Sequence, residues 1–239
     1  MASPTPAAPN PDGNAVVGAF FSPGATMDDL IRRPRFLLPL ALVTLIGACV
    51  MGIGWQRGVL EQFMRRKMES NPRMEQIPAQ QRERIIDQST RISSYMFVGG
   101  AVVGPTLGLL MTSGFFLLVS NFLLGAGAKL KQVMAIVSHA WLPHAVLGLI
   151  SIPILLAKEP DTVDVQNIVA LSNLSFLVDS AEQPKLYAIA AGIDLFSFWV
   201  IALLAIGLCR LTRKGMAAVL PVILIPWLLY LVVIKPLQA

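Results

Sequence analysis

Long apolar runs alternate with short polar stretches along the 239-residue chain. Phe36–Trp55 is uncharged throughout, and a membrane-crossing helix needs about 20 such residues. Four more apolar runs follow: Tyr95–Leu124, Val133–Ala157, Leu186–Cys209 and Met216–Ile234. The pattern predicts an all-α fold, a polytopic transmembrane helical bundle of five spans. Pro105 is expected to kink the second span, Pro143 and Pro153 interrupt the third, and Pro221 and Pro226 lie in the fifth. The turn between the second and third spans is small and basic, with Gly125, Gly127, Lys129 and Lys131. Arg210, Arg213 and Lys214 fall between the fourth and fifth.

Polar segments set the domain boundaries. Residues 1–19 are rich in Pro, Ala and Asn and read as a disordered tail. Residues 20–35 read as an interfacial segment, with Thr26 as N-cap and Asp28 and Asp29 in the first helical turn. Its Phe20, Phe21, Met27, Leu30 and Ile31 are expected to lie on the bilayer surface. Residues 36–239 form the membrane domain. Within it, residues 56–94 are a long polar insert, expected to form two short amphipathic helices separated at Pro72 and Pro78. In residues 158–185 a short interfacial helix is expected, and Asn173-Leu174-Ser175 matches a glycosylation sequon, a pattern frequent by chance.

Only 14% of residues are charged and the mean hydropathy is +0.66, whereas soluble domains carry about 25% charged residues. Lipid is therefore the main expected partner. The net charge of +5 is assigned to residues flanking spans, not to nucleic-acid binding. Cys49 and Cys209 have no metal-ligand spacing and fall near opposite ends of their spans, so no disulfide is expected.

With the N-terminus inside, the inner segments hold Arg32, Arg33, Arg35, Lys129, Lys131, Arg210, Arg213 and Lys214, and eleven basic residues lie outside. The raw count does not favour this orientation, because residues 56–94 alone hold eight. Every short turn does favour it, and short turns carry the positive-inside signal. Trp55, Tyr95 and Tyr187 then share the outer interface.

Chemistry-bearing residues are few. Gly100, Gly104 and Gly108 recur every four residues and mark a stripe for close helix packing, with a pore-lining face as the alternative. Asp194 is placed about two turns into the fourth span, and an intramembrane ionisable residue is a functional candidate. The alternative is a hydrogen-bonding role near the interface. An aspartyl membrane protease needs a second carboxylate, which no other span supplies. His139 and His144 lie about 140° apart on a helix and are not expected to share a metal. No nucleophile has an adjacent base and there is no nucleotide-binding loop, so neither catalysis nor a cofactor is expected. Residues 56–94 are expected to dock a partner through Arg65, Arg66, Arg82 and Arg84, the alternative being a solvated hairpin resting on the bilayer. The function classes in play are a membrane scaffold or accessory subunit, and a small transporter or channel using the proline-broken spans.

Several stretches together resemble bacterial members of the YIP family, the Ypt/Rab-interacting protein membrane domain. FFSPGATMDDLIRRP resembles its leading segment, NFLLGAGAKLKQVMAIVSHAWLP its central hairpin with Pro143, and DLFSFWVIALLAIGL, residues 194–208, its fourth span. Lys129 stands where the family pattern has a small or aromatic residue, and the 56–94 insert has no counterpart in compact eukaryotic members. The resemblance implies a non-enzymatic inner-membrane protein of a bacterium with a cytoplasmic N-terminus. It also implies membrane-protein partners, with the permease or adaptor of an ABC-type exporter as the transferable example.

Overall fold

The computed structural model describes residues 12–69, 76–164 and 167–237, without the side chains of residues 12 and 13. In chain order the helices are α1 (Asp12–Phe21), α2 (Pro23–Arg32), α3 (Leu37–Gln56), α4 (Val59–Glu69) and α5 (Ala79–Leu118). They continue with α6 (Leu130–Ala140), α7 (Leu142–Ala157), α8 (Pro184–Ala191), α9 (Leu195–Thr212) and α10 (Met216–Leu229). Among the described residues five stretches are long and apolar enough to cross a membrane: α3, α5, α6 with α7, α9, and α10 with its following turns. The expected five-span helical bundle is what forms.

Helix α6 is its centre. Every residue from Val133 to Ala140 is buried, so no face is left for lipid or water. Helices α2, α3, α5 and α9 all pack on it. Helix α9 comes nearest at Gly207, where an added Cβ would stand 2.4 Å from Ile136 Cγ2 and 3.2 Å from Met27 Sδ. Helix α7 approaches α3 in the same way at Gly148, against Ile46. Within this chain the close approaches are made at these glycines and not at Gly100 or Gly104. Gly100 and Gly104 have nothing within 4 Å, and of the three only Gly108 touches a neighbour, the Trp141 ring. The stripe faces out because α5 turns its other side, with Leu109, Ser113 and Phe116, into the core.

Contacts sort the helix ends into two sides. On the first, Asn121 Nδ2 donates to Ala128 O at 3.1 Å and Ala128 N donates to Asn121 Oδ1 at 2.6 Å. This pair of hydrogen bonds spans the turn that Gly125 and Gly127 make at φ 66° and 62°, a conformation glycine adopts without steric cost. Gln132 then donates from Nε2 to Ile31 O, and Arg210 pairs with Asp28, which fastens α2 to the hairpin and to the end of α9. On the opposite side Arg57 donates to Leu156 O and Lys158 O, supplying donors to terminal carbonyls of α7.

Several sequence expectations change. The tail reading of 1–19 fails from Asp12 onward, where α1 forms: Ala15 and Ala19 are buried and Phe20 packs edge-on against Trp199 at 5.2 Å. Residues 1–11 lie outside the described residues. Met27 and Leu30 enter the core instead of lying on the bilayer, and Ser22, not Thr26, stands at the start of α2. The second insert helix is not separate. It runs unbroken through Tyr95 and Pro105 as the 40-residue α5, because no helix breaker lies between Ala79 and the span. At 1.5 Å per residue α5 is about 60 Å long, against a hydrocarbon core of about 30 Å. Pro72 lies outside the described residues. Three 3-10 turns, Pro160–Thr162, Ala170–Ser172 and Leu174–Leu177, replace the expected helix in 158–185. There, Thr, Ser and Asn side chains bond nearby backbone and compete with helix.

Two outcomes are expected. Replacing Gly207 with leucine forces side-chain volume into Ile136 and lowers stability by about 1–3 kcal/mol, whereas Gly104→Leu leaves the thermal unfolding midpoint in detergent unchanged. In a chain with Cys49 and Cys209 replaced by alanine, single cysteines at Gln80 and Lys129 label from opposite sides of the membrane. Labelling of both from one side contradicts the two-sided arrangement.

Candidate functional site

The fourth span begins later than the sequence pattern predicts. Helix α8 stops at Ala191, Ile193 bends with its N–H on Ala190 O, and Asp194 leads extended into α9. Gly192 makes this break tight, since a Cβ there would stand 2.3 Å from Leu231 Cδ2. Asp194 is therefore the N-cap of α9, not a residue two turns inside it. Its Oδ1 accepts from Phe196 N and Ser197 N, both at 2.9 Å, and its Oδ2 accepts from Ser197 Oγ. A carboxylate here satisfies orphan amides and meets the positive end of the helix dipole. An acid at the membrane edge thus has a structural reason to exist.

The segment before α8 folds over this end of the bundle. Asn167 Nδ2 donates to Ser175 Oγ and Tyr187 Oη, and Tyr187 Oη donates to Asp164 Oδ2 at 2.9 Å. Asn173 donates to Asn167 Oδ1 and accepts from Ser175 N. Burial pushes the Tyr187 phenol above its ordinary pKa; the bond from Asn167 opposes this and the bond to Asp164 adds to it. Asn173 is buried and its amide is occupied, so the sequon match is not an exposed acceptor. An isolated antiparallel bridge joins Asn173 to Asp194 and seats the segment on the start of α9.

Beneath it lies a chamber of about 390 Å³. Its polar lining includes His144 from the first turn of α7, Asp194 and Ser197 from α9, Asn173 from the covering segment, and Tyr230 and Lys235 after α10. His139 belongs elsewhere. It is buried in α6 with Nδ1 at 2.8 Å from Ala135 O. The two histidines do not converge. Among the described residues no group of three or more His, Cys, Asp or Glu could hold a metal.

The docking arginines are mostly engaged within the chain. Arg65 Nη1 pairs with Glu83 and Nη2 with Asp87, each at 2.8 Å, and joins α4 to the start of α5. The bond to Glu83 holds the Arg65 guanidinium above its ordinary pKa; burial opposes this, and the charges of Glu83, Asp87 and Glu69 add to it. Arg66 donates to Asp161 O and Val163 O, and Arg82 donates to Ile77 O. Arg84 alone of the four is exposed and makes no side-chain hydrogen bond or ion pair among the described residues. Sequence reasoning missed these roles because carbonyl partners far along the chain leave no local signal. It also missed Asn121, whose spacing of seven from Ala128 was the one available hint.

The Yip1 domain family model matches residues 17–235. Comparison with curated proteins and with solved structures returned no match.

Asp194→Ala removes the cap and is expected to cost about 1–2 kcal/mol, read as a lower unfolding midpoint in detergent. Asp194→Asn, which still accepts from the α9 amides, stays near wild type. Equal losses in both variants contradict the capping role.

Proposed function

The chain belongs to the Yip1 domain family, and from that premise we propose that it is a non-enzymatic scaffold or accessory subunit of a larger membrane complex. The observation that carries this reading is the unpacked face of α5. Gly100 and Gly104 have open space beside them, while Met96, Val103, Leu107 and Met111 around them are exposed. Such a face admits a neighbouring helix closely, and close packing is what drives helix association in lipid. Above it, α4 and the first turns of α5 form a braced polar hairpin outside the apolar span, held by Arg65. The partner is a membrane protein, and an exporter permease or adaptor is the class that the family resemblance suggests. The N-terminus is cytoplasmic in this reading, which the basic short turns support, and the membrane is the inner membrane of a bacterium, as the family resemblance suggests.

Affinity purification from native membranes tests the proposal. A membrane protein is expected in fixed ratio with the wild type, and Gly100→Leu with Gly104→Leu is expected to release it at unchanged protein level. Identical co-purifying proteins in both, or a wild type that comes off alone, overturn the reading.

A further inference from the structure

The polar chamber continues into an apolar groove of about 670 Å³, and His144, Ser197, Trp227 and Tyr230 line both. The groove runs between α5, α9 and α10, past Phe116, Leu204 and Ile223. From Asp194 at the chamber to Leu204 in the groove is about 15 Å along α9, half of a hydrocarbon core of about 30 Å. Polar at the helix ends and apolar for one leaflet's depth, the paired space has the dimensions and polarity of a lipid.

We propose that chamber and groove together bind one phosphatidylethanolamine from the leaflet on the side of residues 158–193, headgroup in the chamber and acyl chain in the groove. The charges choose the headgroup. Asp194 and Lys235 bring one negative and one positive charge to the same chamber, which matches a zwitterion and not a net anion. Lys235 has no ion-pair partner among the described residues, so its ammonium is available to the phosphate. An ionised carboxylate offers about four acceptor positions. Three hydrogen bonds occupy Asp194, two on Oδ1 and one on Oδ2, which leaves room on Oδ2 for a primary ammonium. The Trp227 and Tyr230 rings at the junction suit the amine's methylenes and charge. A quaternary choline has no N–H to give Asp194, and that separates the two zwitterions. This site does not depend on the scaffold reading, since no partner protein enters it.

Tryptophan quenching in reconstituted vesicles tests it. The protein is placed in phosphatidylcholine bilayers with a minor fraction of brominated phosphatidylethanolamine, phosphatidylcholine or phosphatidylglycerol. Trp141→Phe and Trp227→Phe assign the groove signal by difference. The ethanolamine lipid is expected to quench the groove tryptophans at about ten-fold lower mole fraction than the other two, the effect of one charge-assisted hydrogen bond. Asp194→Asn, which keeps the cap, is expected to abolish that preference, and Lys235→Ala is expected to weaken quenching by both zwitterions. Equal quenching by all three lipids, a preference for choline or glycerol, or an ethanolamine preference that survives Asp194→Asn overturns the proposal.

Discussion

A bundle in lipid gains little from hiding apolar side chains from a solvent that is itself apolar, so its helices are held by how closely they fit. Here that fit is set around α6, buried from Val133 to Ala140. At its contact with α9 a side chain on Gly207 would displace Ile136. The leading helices depend on this centre. Met27 and Leu30 of α2 are fully buried, and Gln132 in the first turn of α6 reaches back to Ile31 O. The first two helices are thereby part of the core, not a segment lying on the bilayer.

The two ends of the bundle are closed differently. On one side a single side chain, Asn121, fixes the glycine turn by bonding both backbone groups of Ala128, and the Asp28–Arg210 pair bridges α2 to α9. That pair is half exposed, and such pairs contribute at most about 1 kcal/mol, so it orients more than it stabilises. The other end is a polar cover, built from Asn167, Asn173, Ser175 and Tyr187 and tied to the insert by Arg66. The cover roofs the chamber, and at the first end a polar pocket of about 720 Å³ lies between the glycine turn, α2 and the end of α9.

What the sequence made legible follows from the solvent. A span must supply its own hydrogen bonds and an apolar surface of fixed length, so five runs announce five crossings. Where a helix starts or stops at the membrane edge depends on partners the pattern does not show. In the Leu186–Cys209 run Asp194 is the only charged residue, yet the helix breaks at Gly192, where a side chain would meet Leu231. Tyr95 looks like the start of a span, yet α5 is already four turns long at that point. Ala15 and Ala19 carry little signal by themselves and are buried only because α1 meets folded neighbours. Gly100 and Gly207 are equally glycine in sequence, and only the packing distinguishes the open one from the crowded one.

The uninterrupted length of α5 has a mechanical consequence. From Ala79 to Ser94 the helix extends about 24 Å before its apolar stretch begins, and Arg65 stiffens that part by bracing α4 against it. A helix of this kind transmits tilt. Rotating the embedded half by about 10° within the bilayer displaces the far tip by ~4 Å. Adjustments of the lipid-facing half, whether from bilayer thickness or from a neighbour on its glycine face, are thereby geared into lateral motion well outside the membrane.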